Sequence, residues 1–133
     1  MTLRIALIGS APSSVALAPY DDPTFEIWAC SPGARPHLKK VDRFFELHLF
    51  EPHQPWFAPE YIAWMAGLKC PVYMLEPVKE IPPSVGYPKD EMLAKYGPFF
   101  FTSSLSWMFA MALVTPGVTE IGLWGVDMAA QED

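Results

Sequence analysis

The run Leu3-Arg4-Ile5-Ala6-Leu7-Ile8-Gly9 places the strongest constraint on the fold. Successive strand side chains point to opposite faces, so a run apolar at every position except Arg4 must be covered on both sides. Such a strand belongs inside a parallel sheet, and parallel strands need long crossover connections, usually helices. The rest of the chain supplies both parts. Residues 25–30, 43–48, 72–75 and about 120–124 read as four further strands. Ser13 or Ser14 could cap a short helix that runs through Ala18. Pro59 suits the first position of a helix over residues 60–68, with Gly67 near its end. Residues 89–96 read as a helix stopped by Gly97-Pro98, and about 103–114 as an apolar helix before a Pro116-Gly117 turn.

Strands thus alternate with helices or long crossings. The pattern predicts an α/β, Rossmann-like three-layer fold, a mostly parallel sheet of about five strands with helices on both faces. The 133 residues suit a single domain over residues 1–133. The sequence shows no repeat or linker. Fifteen prolines, clustered between Pro52 and Pro98, predict long ordered loops there.

Nine Lys and Arg against fifteen Asp and Glu give a net charge of −6, with no basic run. Nucleic acid and membrane surfaces are therefore not expected partners. A phosphorylated ligand would have to be held by backbone N–H groups, hydroxyls and helix starts. Two cysteines, Cys30 and Cys70, are too few for a disulfide framework and suggest reduced thiols in a cytoplasmic protein. Arg4 interrupts the first apolar run, so no signal peptide is expected. The longest apolar helix, Ser104 to Val114, falls well short of the ~20 residues that span a bilayer.

In an open parallel sheet, ligands bind at the carboxyl ends of the strands. The residues past those ends are Gly9, Ser10, Ala11, Pro12 and Ser13, then Cys30 and Ser31, His48, Glu76, and Gly125-Val126-Asp127. They are expected to share one rim with the start of the last helix at Thr102, Ser103 and Ser104. Each also has a structural reading: Ser13, Thr102 and Ser103 as caps, His48 as a satisfied histidine, Asp127 as a turn residue and Glu76 as solvated. The loop after the first strand has one Gly and no Lys, so it is neither G-x-G-x-x-G nor a Walker loop. There is no G-x-S-x-G elbow. His48 and His53 lack a nearby Cys pair, so no metal is expected, and none of these patterns requires a cofactor.

Two segments together resemble the bacterial sialyltransferases of glycosyltransferase family 42 and the related motility-accessory-factor proteins. Arg4-Ile5-Ala6-Leu7-Ile8-Gly9-Ser10-Ala11-Pro12-Ser13 is similar to that family's opening strand and Gly-Asn-Gly-Pro-Ser loop. Phe25-Glu26-Ile27-Trp28-Ala29-Cys30-Ser31 is similar to a second strand that ends Cys-Asn, and Thr102-Ser103-Ser104 to a Thr-Ser-Gly before a helix. The most specific match is Gly117 through Asp127, similar to Gly-Tyr-Lys-Glu-Ile-Tyr-Leu-x-Gly-Ile-Asp. The whole pattern also looks like small phage and prophage proteins with Asp42-Arg43-Phe44-Phe45-Glu46-Leu47-His48 and a Gly-Val-Asp-Met ending. The resemblance covers about half the chain clearly. It implies that Ser10, Ala11, Pro12 and Ser13 line a cytidine-type nucleotide, that Ser31 lies near its ribose or base, and that Thr102 and Ser103 meet the phosphate. Two family asparagines are Ser10 and Ser31 here. The family's catalytic histidine lies beyond the Gly-Ile-Asp segment, which leaves His48 and Asp127 as candidate bases. The chain ends at Asp133 in what reads as a rim loop, so a further C-terminal portion is left open.

Three functional expectations follow. The first is a domain that binds a nucleotide or nucleotide-sugar, and, if it is an enzyme, a glycosyl or phosphoryl transferase. The second is a non-catalytic phage or prophage module that binds a protein or its own copy as a homodimer. Trp56, Phe57, Tyr61 and Trp64 motivate that reading, although Tyr61 and Trp64 also fit the inner face of one helix. The third is a sugar-nucleotide or nucleoside hydrolase that uses Asp127.

Overall fold

A computed structural model describes residues 2–101 and 103–126. It contains six strands: β1 (Leu3–Ile8), β2 (Phe25–Cys30), β3 (Arg43–Phe45), β4 (Val72–Met74), β5 (Ser84–Gly86) and β6 (Val118–Trp124). They form one sheet in the order β5-β4-β3-β2-β1-β6. Every pairing is parallel. The helices are α1 (Pro12–Val15), α2 (Pro59–Ala66), α3 (Lys89–Tyr96) and α4 (Ser104–Val114), with a 3₁₀ helix at Pro32–His37. The architecture is α/β, Rossmann-like and three-layered.

The strand order explains the layers. From β1 to β5 the chain steps one strand at a time in one direction, and then it returns across the sheet to place β6 beside β1. Right-handed crossovers put connections of one direction on one face and the returning connection on the other. The two apolar cores match this. On one face Val15, Phe57, Tyr61 and Met65 pack against Ala6, Ile8, Ile27, Ala29, Phe44 and Val72. On the other Met92, Met108, Ala110 and Met111 pack against Ile5, Leu7, Trp28, Cys30 and Phe45. Consecutive residues of β1 alternate between the two cores, as a strand buried on both sides requires.

Arg4 fits this frame because it lies at the amino end of β1. Its guanidinium reaches Glu120 on β6 at 3.0 Å and Asp22 at 3.4 Å, and lies 4.1 Å from the centre of the Phe25 ring. The opposite, carboxyl end of the sheet is left for other uses.

Several expectations are corrected. β5 is a sixth strand in a segment expected to be loop. The third strand is only three residues, so Glu46, Leu47 and His48 follow it and are not part of it. No side chain caps α1. Ala11 is its N-cap and Pro12 its first residue, while the Ser14 hydroxyl turns away to accept the Gly125 N–H at 2.7 Å. Both cysteines are free thiols. Among the described residues no helix is long and apolar enough to cross a membrane.

Candidate functional site

β1 and β6 are neighbours although they come first and last in the chain, and the strand order reverses between them. In open α/β sheets a ligand crevice forms at the carboxyl ends of such strands. Here the backbone at that point is tightly joined. The Gly9 N–H donates to the Trp124 carbonyl at 2.8 Å, and the Ala11 N–H donates to the Gly125 carbonyl at 2.8 Å. A Cβ on Gly9 would lie 2.6 Å from the Gly125 carbonyl oxygen, so the close approach depends on glycine. Gly125 adds a positive φ of 70°.

Above this floor lies a crevice of about 400 Å³. Gly9 and Ser10 from the end of β1 line it, with Cys30 and Ser31 after β2, His48 after β3, Ser103, Ser104 and Leu105 at the start of α4, and Gly125 and Val126 after β6. Four strand ends and the start of α4 therefore meet. Ala11, Pro12 and Ser13 do not line it, and Glu76 is an exposed residue elsewhere. The Ala11 N–H is already committed to Gly125 and Pro12 has no N–H, so an anion-binding loop over residues 10–13 is not available in the expected form. Thr102 and Asp127 lie outside the described residues.

Ser103 caps α4. The Ser106 N–H donates to its hydroxyl at 3.4 Å, and the Ser103 N–H donates to the Ser106 hydroxyl at 3.2 Å. This reciprocal box uses Ser where Glu or Gln is usual. The N–H groups of Ser104 and Leu105 open the helix and have no intrahelical partner by construction. No Lys or Arg lines the crevice, so these N–H groups and the helix dipole provide its positive end. Ser31 holds φ 72° and ψ 150°, and it is the only non-glycine with positive φ among the described residues.

The sequence reading missed the groups behind His48. Glu46 is 1% exposed, the one buried charged residue among those described. Its Oε1 accepts the Tyr61 hydroxyl at 2.6 Å. Its Oε2 lies 2.6 Å from His48 Nδ1 and also accepts the His48 backbone N–H at 3.1 Å. The carboxylate thus meets three donors, which accounts for its burial. Burial first, then Glu46, pushes the Tyr61 phenol far above its ordinary range. One signal could have revealed this: Glu46 is two residues from Phe44, so it points to the same apolar face. Cys30 is buried, and desolvation pushes its thiol up to about 11, so at neutral pH it is no nucleophile. The described residues contain no group of His, Cys, Asp and Glu arranged to hold a metal ion.

Farther along the rim, Leu47, Leu75, Tyr87, Lys89 and Trp107 line a smaller, more apolar recess of about 220 Å³. Comparisons with protein-family models, curated proteins and solved structures found no match to this chain. Function is therefore read from the crevice and not from the fold.

Proposed function

We propose that the crevice binds a nucleotide or nucleotide-sugar of CMP type, as the sialyltransferase resemblance implies, and that any chemistry it performs is glycosyl or phosphoryl transfer. The observation that carries this reading is the meeting of Ser10, Ser31, Ser103 and Ser104 with the first turn of α4, where the strand order reverses. A phosphate would rest on the Ser104 and Leu105 N–H groups and the Ser104 hydroxyl, at the positive end of the helix. The nucleoside would extend toward Ser10 and Ser31, whose short hydroxyls can hydrogen-bond a ribose or base edge. His48 would face the reacting centre, with Asp127 the other candidate base.

Isothermal calorimetry with CMP, UMP, CDP and their sugars tests the reading. We expect at least one to bind with a dissociation constant below the millimolar range. Binding should weaken at least fivefold in Ser31→Ala or Ser104→Ala. Absence of binding by all of them at millimolar concentration would sink the proposal.

A further inference from the structure

We propose that Glu46, His48 and Tyr61 form a hydrogen-bonded relay in which only His48 moves a proton: its Nε2 is the general base of the crevice, and Glu46 is the residue that positions it. The substrate assignment rests on the nucleotide reading above, while the relay itself rests on geometry. Glu46 Oε2 is an acceptor 2.6 Å from His48 Nδ1, so the neutral ring carries its proton on Nδ1. The lone pair is then on Nε2. The His48 side chain is about half exposed and lines the crevice, while Glu46 is sealed beneath it. The His48 backbone N–H and the Tyr61 hydroxyl fix the carboxylate at both oxygens. A buried carboxylate behind a half-exposed imidazole is the arrangement that orients a histidine base in acyl-transfer enzymes. A solvent-facing histidine needs no such backing.

Arg35 lies over the Tyr61 ring, 5.9 Å from its centre, and the Trp56 ring lies 6.4 Å from that of His48. Cys30 lines the same crevice and keeps its proton at neutral pH. His48 is therefore the side chain of the described crevice best placed to accept a proton.

The substrate class is a hydroxyl, either water or a sugar alcohol, that attacks the carbon bearing the nucleotide phosphate. As the hydroxyl oxygen bonds to that carbon, the bond from carbon to phosphate oxygen breaks. Its electron pair leaves with the nucleoside monophosphate. The hydroxyl proton passes to Nε2, and the Nδ1 proton stays on the ring, donated in the hydrogen bond to the Glu46 carboxylate. Solvent later takes the proton from Nε2.

The test has two arms on the intact protein. Long-range ¹H–¹⁵N spectra at pH 8 give the His48 tautomer, and diethylpyrocarbonate gives its reactivity against His37 and His53. We expect the Nδ1–H tautomer and faster modification of His48, slowed severalfold in Glu46→Gln. An Nε2–H tautomer, or equal rates for the three histidines, overturns the relay. In the second arm, release of CMP from a CMP-sugar is followed by phosphorus NMR. His48→Ala should lower kcat on the order of 10²- to 10⁴-fold with nucleotide affinity within about threefold. Glu46→Gln should lower kcat with KM unchanged, and Tyr61→Phe should do so less, thermal melts showing that each variant folds. Binding without turnover, or unchanged kcat in His48→Ala, overturns the base role and leaves the binding reading intact. If no nucleotide binds, the binding reading fails, and the first arm alone decides the relay.

Discussion

Ser31 occupies a backbone region that is nearly reserved for glycine, and it does so on the wall of the crevice. Replacing it with glycine removes strain but frees the unfolded chain, so Ser31→Gly should stabilise the protein by about 1 kcal/mol in urea unfolding. If Ser31 holds a ligand, the same variant loses affinity. Gly125 poses the opposite case. A Cβ there would lie 2.6 Å from Val15 Cγ2 and 2.7 Å from the Gly9 carbonyl oxygen, at positive φ. Gly125→Ala should cost about 2–4 kcal/mol, measured by the same unfolding curves. Cys30 makes a pH prediction. Its folded-state value is raised from 9.0 to about 11, so the folded state holds the proton more tightly. That contribution is complete below pH 9 and is lost as pH rises toward 11, a fall of about 2–3 kcal/mol. Cys70 and the buried tyrosines Tyr20, Tyr61 and Tyr87 are also raised by desolvation and lose stability in the alkaline range, so the comparison is with Cys30→Ala, whose stability should decline less between pH 9 and 11. At this scale Gly9, Ser10, Ser31 and His48 were legible, because a strand end alone places them. Glu46 was not. The i, i+2 spacing from Phe44 gives its face, but its partner Tyr61 arrives from a helix 15 residues away, and that spacing does not announce the meeting.

Among the elements, α4 carries the most weight at the site. It is apolar nearly all round, with Met108, Ala110, Met111 and Ala112 buried, and only its first turn is polar. Ser103→Ala removes the side-chain acceptor of the Ser106 N–H, which keeps the Ser103 carbonyl at 3.1 Å, and should cost up to about 1 kcal/mol. Thermal unfolding measures that loss. Ser103→Asp keeps an acceptor and should restore stability while repelling an anion at the helix start. β5 escaped the sequence reading for a physical reason. Its three residues are Ser84, Val85 and Gly86, directly after Pro82-Pro83, and of the three only Val85 is a strong strand former. It exists because Val72 and Tyr73 offer a parallel partner. β3 was read too long because Glu46-Leu47-His48 keep a polar–apolar alternation after the ladder has ended.

For the whole molecule, parallel strands send every carboxyl end the same way, which brings residues past β1, β2, β3 and β6 to one crevice, while Glu76 past β4 stays apart from it. The aromatic surface behind the self-association reading has been reduced. Phe57 and Tyr61 are core residues and Trp64 packs on Phe44. Trp56 remains 46% exposed. If copies of the chain associate through it, sedimentation velocity should show a dimer for the wild type and a monomer for Trp56→Ala. Identical monomers in both would remove the last support for that role.

The seam between β1 and β6 also sets an order of events during synthesis. Arg4 and Glu120 are 116 residues apart in the chain yet lie side by side in the sheet. While a ribosome makes residues 9–117, β1 has no partner on that edge, and its backbone donors and acceptors face water or stray strands. Pairing across so long a separation is slow, because the loop must close before its contacts can reward it. The crevice floor at Gly9 and Gly125 is thus among the last parts of the protein to come into being. A nascent chain stalled before residue 118 would have most of its sheet and no site.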